Sequence, residues 1–347
     1  MMRLERRDQT PAALLLAAPA GALLFTLAVT SLLVAWAGAP VGRAYALLLE
    51  GGFGSRFAWT ETLTRATPLI LTGLAAAVAF RARLFNIGAE GQLYAGALAA
   101  VAVGTLDGPP ALLFPAMLAV AMVAGALLLL GPAWAKSRLG VDEVVTTLLL
   151  NFIVLLFVSA MLDGPMKDPT AMGWPQSAAL PDELQLSKLL ERSRVHTGLV
   201  VAGVAAVACW ALLRFTTAGF AVRAVGANPR AAAFAGVPVR ATTLGVALLS
   251  GALAGLAGAV EVAGRTAYVT LDMSPGYGYS GIVIAMLAML HPLGVVAASV
   301  FVAGMLVGAD SMSRAVGVPT YIADVIVAVA LIAMLVATML TQYRVRR

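Results

Sequence analysis

Charged residues are scarce in this sequence. They occupy 12% of the 347 positions, whereas soluble globular domains carry roughly 25%. A chain with so little charge cannot cover its surface for water, which excludes a soluble fold. Hydrophobic residues reach 61%, and several apolar runs approach the ~20 residues that cross a bilayer as a helix. Because lipid favours helices with internally satisfied backbones, the composition predicts an all-α polytopic protein in contact with the lipid bilayer.

Cysteine and histidine are almost absent. Cys209 is the single cysteine and lies in an apolar run, which excludes an intramolecular disulfide and a multi-cysteine metal site. The two histidines, His196 and His291, are far apart in the sequence, and no HExxH, GxSxG or Cys/His cluster occurs. We therefore expect no metal, no cofactor and no enzymatic activity in this chain.

A phosphate-binding loop is also missing, because the pattern GxxxxGK[ST] does not occur. Any ATP would have to be bound by another subunit. The net charge of +6 is best explained by arginines and lysines in membrane-facing loops. No basic run is interleaved with aromatic residues, so we expect no nucleic-acid partner.

Apolar runs punctuated by charge, glycine and proline predict about ten transmembrane helices in one domain, residues 1–347. They lie near residues 12–36, 63–80, 89–106, 111–134, 143–162, 197–214, 241–262, 280–290, 293–312 and 320–341. An even number places both termini on one side, and the distribution of arginine and lysine makes that side the cytoplasm. This orientation leaves two long hydrophilic segments, 163–196 outside and 215–240 inside.

Two glycine-rich polar stretches interrupt the apolar runs, one in each half of the chain. The first is FNIGAEGQLYAG (85–96) and the second is MSPGYGYSGIVIAMLA (273–288). Such breaks are tolerated at membrane depth where they line a cavity or are buried in protein, and paired broken helices mark transport sites. They predict a broken or re-entrant helix in each half. The alternatives are a cytosolic turn with a solvated Glu90 and an ordinary outer loop with interfacial tyrosines.

A polar stripe marks the fifth predicted span, GVDEVVTTLLLNFI (140–153). Glu143, Thr147 and Asn151 follow the spacing i, i+4, i+8 and share one helix face. Such a stripe should face a cavity or another helix rather than lipid. For Asp142 and Glu143, the simpler interpretation is that acidic residues stabilise the first turn.

Capping signals are clearest in the inner segment, at GANPRAAAFAGVP (226–238). Asn228 suits the N-cap, Pro229 the first helical position and Gly236 the position after the helix, which predicts a helix near 229–235. So short a helix needs a packing partner, either its own membrane domain or another protein. The residues available to that partner are Ala231, Ala232, Phe234 and Ala235. In the outer segment, PDELQLSKLLERS (181–193) predicts a short surface helix.

Three of these motifs, FNIGAEGQ, GVDEVVTTLLLNFI and AVGANPRAAAFAGV, together resemble the permease subunits of ABC importers. The resemblance is to the superfamily of ribose and branched-chain amino acid permeases, nearest its nucleoside (or simple-sugar) branch, and it extends from about residue 45 to the C-terminus. Asp142 departs from the family pattern, which often has asparagine there.

The resemblance implies a heteromeric importer in the cell (inner or plasma) membrane. Its other parts would be a second related permease subunit, a cytosolic ABC ATPase and an extracytoplasmic substrate-binding protein. The inner segment then matches a coupling helix that docks on the ATPase, with the coupling residues Gly226, Asn228, Pro229, Arg230, Phe234 and Gly236.

On this basis we predict a nucleoside path between the spans near 89–106, 143–162 and 280–290. Amides and a carboxylate pair with ribose hydroxyls and base edges, and tyrosine stacks on a base. The predicted polar contacts are Asn86, Glu90, Gln92, Asn151, Tyr277 and Tyr279. Two alternatives remain: the same machinery importing a simple sugar or a branched-chain amino acid, and a stand-alone ion-coupled secondary transporter with Glu90 as its essential acid.

Overall fold

The computed structural model describes residues 3–6, 12–317 and 319–346, which are predominantly helical. The helices are α1 (Ala12–Trp36), α2 (Val41–Phe53), α3 (Arg56–Arg81), α4 (Ala89–Gly104), α5 (Pro110–Leu139), α6 (Glu143–Asp163), α7 (Gly198–Phe215), α8 (Thr217–Ala227), α9 (Pro229–Phe234), α10 (Val239–Glu261), α11 (Tyr277–Leu287), α12 (Pro292–Val316) and α13 (Thr320–Gln342). A 3-10 turn covers Asp182–Leu184, and a π-helical turn (Val262–Thr266) extends α10.

Six helices of the described chain are long and apolar enough to cross a membrane: α3, α5, α6, α7, α10 with its π turn, and α12. The count rises to seven if α1 and α2, which are bent by 114° at their junction, form one broken span. All ten predicted runs coincide with helices, but α4 and α11 have only 16 and 11 residues. The ten-span count therefore stays a prediction.

The two ends of the chain lie side by side. Strand β1 (Arg3–Arg6) pairs antiparallel with β2 (Tyr343–Arg346), and Arg3 is opposite Arg346. That both termini lie on the same side of the membrane, as an even number of crossings requires, stays a prediction. That this side is the cytoplasm remains a prediction.

Contacts divide the chain into two units, one of residues 1–62 with 300–347 and one of residues 63–299. In the first unit α1 packs against α13, and glycines bring α2 close to α12. A Cβ built at Gly52 would lie 2.9 Å from the carbonyl carbon of Gly304. Helix α2 was not predicted, because Arg43, Glu50 and several glycines interrupt its hydropathy.

Helix α10 forms the centre of the second unit and packs against α4 and α5. Glycines permit this close approach, as is common between membrane helices. A Cβ built at Gly96 would lie 2.5 Å from the Cα of Gly255, and one built at Gly251 would lie 2.8 Å from the Cα of Ala126. This unit contains all of the predicted path and coupling residues.

The outer segment 163–196 is held by backbone hydrogen bonds rather than by a helix of its own. Leu180 N donates to Ala267 O at 2.8 Å and Leu186 N donates to Ala263 O at 2.8 Å. The surface helix predicted over 181–193 is therefore wrong, apart from the single 3-10 turn. Its polar pattern was typical of an amphipathic helix, but Leu186 N bonds to Ala263 O and Leu189 N bonds to Val195 O instead of to helical partners.

Candidate functional site

The first broken stretch, residues 82–88, separates α3 from α4 and is organised around Asn86. This side chain is fully buried. It exchanges two hydrogen bonds of 2.9 Å with the amide of Gln92. Its oxygen also accepts from Gly88 N at 2.9 Å, and its nitrogen donates to Ser250 Oγ at 3.1 Å. Asn86 and Gln92 thus hold the break together and connect it to α10.

The polar stripe of α6 satisfies the backbone of this stretch and of the first turn of α4. A broken helix leaves N–H groups without helical partners, and in a membrane they need acceptors from the protein. Each stripe residue supplies one. The pairs are Phe85 N to Glu143 Oε1 at 3.1 Å, Ile87 N to Thr147 Oγ1 at 3.2 Å, and Gly91 N to Asn151 Oδ1 at 2.8 Å. The prediction that the stripe faces protein rather than lipid is confirmed.

Asn151 also reaches α11, which follows the second broken stretch, residues 267–276 between the π turn and α11. Its amide nitrogen donates to Ile87 O at 2.9 Å and to the hydroxyl of Tyr279 at 3.1 Å. The side chain is fully buried, and both of its donor hydrogens have partners. Asn151 therefore joins α6, the start of α4 and α11 at one point.

The first turn of α6 contains an ordinary cap. Asp142 Oδ1 accepts from Val144 N at 2.8 Å, which confirms the capping interpretation of Asp142. Glu143 additionally forms a salt bridge with Lys136, whose ammonium donates to Arg83 O at 2.8 Å. Glu143 therefore connects the first broken stretch to Lys136, in the last turn of α5.

The second broken stretch folds back from the π turn toward α4. The hydroxyl of Tyr94 donates to Leu271 O at 2.5 Å and lies 3.3 Å from Ser274 N, which donates to it. Gly276 then adopts φ +84°, a conformation that glycine tolerates, and α11 begins at Tyr277. The N-terminus of α11 thereby meets the N-terminus of α4.

Glu90 lies where these two N-termini meet. Its Oε2 accepts from Gly278 N at 2.6 Å, and Ser274 and Gly276 also offer hydrogen bonds to the carboxylate. The carboxyl group thereby supplies acceptors to N–H groups at the start of α11, which have no helical partner. Glu90 is only 4% exposed, which contradicts the alternative of a solvated Glu90 in a surface turn.

Helix α3 indicates how deep in the membrane this junction lies. Thr72 Oγ1 donates to Tyr277 O at 2.9 Å. Thr72 lies two and a half turns before Arg81, the last residue of α3, which is ~14 Å along the helix axis. The junction therefore lies about half a bilayer thickness from the end of α3.

A buried ion pair that sequence analysis missed lies next to the junction. Glu261, at the end of α10, is fully buried and pairs with Arg265 of the π turn. The guanidinium also donates to the hydroxyl of Tyr277 at 3.2 Å, and Arg65 of α3 interacts electrostatically with Glu261. The spacing of an acid and a base at i, i+4 inside an apolar run was the available signal.

The outer segment ends at a buried histidine. His196 Nδ1 accepts from Gly198 N at 3.2 Å, and the ring packs against Gly264. Within the described residues its Nε2 has no hydrogen-bond partner. Burial lowers the pKa of His196 to about 4, so the ring is neutral at physiological pH. His196 therefore acts as a packed side chain between the outer segment and the π turn.

The inner segment forms the short helix that the capping signals predicted. Asn228 Oδ1 accepts from Arg230 N at 3.0 Å and from Ala231 N at 3.2 Å, and Pro229 is the first helical residue. Gly236 adopts φ +81° after the helix. Helix α9 therefore begins at the predicted residue and ends at Phe234, one residue earlier than predicted.

The sides of α9 differ in exposure. Phe234 is 97% exposed, whereas Ala232 is buried against the rest of the chain. The prediction that Ala232 is available to a partner is wrong, because the helix needs one apolar contact with its own chain. Gly226 lies against the end of α3, since a Cβ there would lie 3.0 Å from the carbonyl carbon of Arg81. The predicted coupling segment is thereby anchored beside the first broken stretch.

The predicted path residues thus cluster around the two broken stretches, and the predicted coupling residues lie on α8, α9 and their flanks. Five of the six path residues are buried, and Tyr279 is 37% exposed. Within the described part of the chain, no three His, Cys, Asp or Glu residues are grouped to hold a metal ion.

Known proteins are similar to this chain over most of its length. It is 38% identical to the guanosine ABC transporter permease protein NupP of Bacillus subtilis, over 90% of this chain and 91% of that protein. It is also 38% identical to the glucose ABC transporter permease protein TsgB13 of Haloferax volcanii, over 99% and 93%. Identity to the nucleoside ABC transporter permease protein NupB of Lactococcus lactis is 33%, over 82% and 80%.

The membrane subunits of such transporters are not themselves enzymes, and they work with ATPase and substrate-binding partners. Residues 58–335 match the family described as branched-chain amino acid transport system / permease component. This chain belongs to that family of ABC transporter permeases and is a multi-pass protein of the plasma membrane.

Proposed function

We propose that this chain is a permease subunit of an ABC importer that translocates nucleosides. An extracytoplasmic binding protein delivers the nucleoside, a second related permease completes the pathway, and a separate cytosolic ATPase drives transport. The printed names of two relatives, a guanosine and a nucleoside permease, support this substrate class.

The observation that carries the proposal is the geometry of α9. A capped helix of six residues presents one almost fully exposed aromatic ring, Phe234, and is anchored by Ala232 and Gly226. An exposed aromatic on a rigid support is a typical anchor for a partner groove. ATP-driven closure of the ATPase would displace α9, and its anchor beside Arg81 would transmit that displacement to the first broken stretch.

The path residues divide into two roles in this proposal. Tyr279 is accessible and contacts the nucleoside directly, by stacking or through its hydroxyl. Asn86, Gln92 and Asn151 use most of their hydrogen-bonding capacity on the protein and position the broken helices. Glu90 accepts from Gly278 N and the Tyr277 hydroxyl accepts from Arg265, so both bonds position the N-terminus of α11.

The role of Glu90 argues against a stand-alone ion-coupled transporter. Such a transporter needs an acid that exchanges its proton with the path, whereas the Glu90 carboxylate is engaged by the start of α11. We therefore propose that Glu90 positions α11. The second candidate function is glucose import, which the name of the Haloferax relative favours.

Reconstitution of the chain with its partner permease, ATPase and binding protein in proteoliposomes tests the proposal. Uptake of radiolabelled guanosine, glucose and leucine is compared, with and without ATP and with an uncoupler. We expect ATP-dependent, uncoupler-insensitive uptake of guanosine alone. Uptake of glucose or leucine instead of guanosine would refute nucleosides as the substrate class. Uptake without the ATPase would refute the ABC mechanism.

Glu90→Gln tests the positioning role in the same assay. The amide oxygen still accepts from Gly278 N, but the amide nitrogen is a donor and cannot accept from Ser274 or Gly276. We expect a lower uptake rate with an unchanged order of substrate preference. An unchanged rate and an unchanged substrate range would remove Glu90 from the mechanism.

A further inference from the structure

A polar cavity of about 410 Å³ lies between the outer segment and the chain that follows the π turn. We call it the outer pocket. Its polar and aromatic lining is formed by Trp174, Arg194, Arg265, Tyr268, Thr270 and Asp272. A volume of this size is in the range of small-molecule sites.

The walls of the outer pocket are fixed to each other. Ser177 N donates to Val269 O at 3.1 Å, and Val269 N donates to Ser177 Oγ at 2.9 Å. These bonds join the strand-like chain after Trp174 to the chain after Tyr268. The pocket therefore exists before any ligand arrives, which reduces the entropic cost of binding.

The lining combines two kinds of recognition. Trp174 and Tyr268 present aromatic surface that is partly exposed, and both rings can stack on a base or on the apolar face of a sugar. Arg194, Arg265 and Asp272 supply charged donors and acceptors. This set suits a neutral ring compound with several hydroxyl groups.

The floor of the outer pocket connects to the junction of broken helices. Arg265 lines the pocket, pairs with the buried Glu261 and donates to the hydroxyl of Tyr277. Tyr277 is the first residue of α11, and Gly278 beside it donates to Glu90. A ligand that displaces Arg265 would therefore act on the start of α11 through one side chain.

We propose that the outer pocket is a ligand site of the permease itself, which holds a nucleoside between Trp174 and Tyr268 with its hydroxyls on Asp272 and Arg265. This proposal rests on the proposed nucleoside import and adds a site to it. The site accepts the nucleoside from the binding protein, before the path past α11 opens.

An acidic side chain of the binding protein is the competing occupant. It would pair with Arg194 and Arg265, but Asp272 would repel it and the two aromatic rings would have no role. The lining therefore favours the neutral ligand, and the experiment separates the two occupants.

The test uses the full permease–ATPase complex in nanodiscs without binding protein. Equilibrium binding of radiolabelled guanosine is measured, with unlabelled guanosine, guanine and glucose as competitors. We expect saturable guanosine binding that guanosine displaces best. Trp174→Ala should weaken it about tenfold, since stacking of a base on an aromatic side chain contributes on this scale. Trp174→Phe, which keeps a ring, should bind nearly as wild type.

Asp272→Asn and a control variant complete the test. The Asp272 substitution keeps the shape and removes a charged acceptor, so guanosine binding should weaken several-fold. Met172→Ala changes a fully exposed side chain of the same segment and should have no effect.

Three results would overturn the proposal. The first is wild-type affinity in both Trp174→Ala and Asp272→Asn. The second is weaker capture of the binding protein with unchanged guanosine binding, which would assign the pocket to docking. The third is absence of guanosine binding by a complex that imports guanosine with its binding protein. Failure of all nucleoside uptake would instead refute the proposed function.

Discussion

Replacing Asn151 with leucine should destabilise the protein. Leucine is close enough to asparagine in shape to be packed at this position, so the loss reflects the missing hydrogen bonds. The substitution removes three hydrogen bonds, from Gly91 N, to Ile87 O and to the hydroxyl of Tyr279. Two of these partners are backbone groups at a break in a helix, where no helical partner replaces the lost side chain.

The magnitude follows from these three bonds. If each is worth ~0.6 kcal/mol, the average measured for side-chain hydrogen bonds between membrane helices, the loss is about 2 kcal/mol. Leaving the Gly91 N–H and the Ile87 carbonyl buried without partners costs roughly 1–3 kcal/mol each. The free energy of unfolding should therefore fall by about 2–6 kcal/mol.

Unfolding by SDS in mixed micelles, followed by tryptophan fluorescence, measures this loss. Ile153→Ala, two residues away on the exposed side of α6, is the matched control and should change the free energy by less than about 1 kcal/mol. Tyr279→Phe removes only the bond to Asn151, so it should show only that part of the loss in free energy. If Asn151→Leu unfolds at the same SDS fraction as wild type, the stripe does not hold the broken stretch.

Three further substitutions test other features. Phe234→Ala should leave the melting temperature of the permease unchanged, because the ring is 97% exposed, but should reduce ATPase co-purification and uptake; an intact complex would contradict docking through α9. Gly278→Val should abolish uptake, since even a Cβ would lie 2.5 Å from the Cα of Glu90, whereas Gly245→Ala, at an uncrowded glycine, should be active; equal activity would refute the close junction. The pKa of His196 is lowered to about 4, so the unfolded chain binds a proton below about pH 6.5 and the folded chain does not. Stability should be full above that pH and fall by about 3 kcal/mol toward pH 4, and His196→Gln should flatten this dependence; an unchanged slope would place the titration elsewhere.

Local signals in the sequence predicted local structure well. Asn228, Pro229 and Gly236 delimited α9 to within one residue, because caps are satisfied by atoms only a few positions away. The stripe Glu143, Thr147 and Asn151 was recognised for the same reason, since a helix places every fourth residue on one face.

Partners far along the chain could not be predicted. The sequence indicated that the stripe faces protein, but every residue except proline offers the same backbone N–H, so nothing identified Phe85, Ile87 and Gly91 as its donors. The segment 181–193 had the pattern of a surface helix, but Leu186 N bonds to Ala263 O and Leu189 N bonds to Val195 O, which are not helical partners.

Charged residues within apolar runs were the hardest feature of the sequence to interpret. Glu261 and Arg265 interrupt an apolar stretch and were not selected as site residues, although their spacing allows a pair on one helical turn. The boundary of α3 was misplaced for a related reason. Hydropathy began the predicted span at residue 63, but α3 begins at Arg56, because charged residues such as Arg56 and Glu61 do not stop a helix.

The hydrogen bonds between α6 and the first broken stretch should make the broken stretch more tolerant of substitution than α6. The donors are main-chain groups, so these two bonds constrain the identity of residues 85 and 87 only by excluding proline. The acceptors are side-chain oxygens, so Thr147 and Asn151 have few substitutes. A saturation library of both segments should therefore recover many functional variants at residues 85 and 87 and almost none at residues 147 and 151.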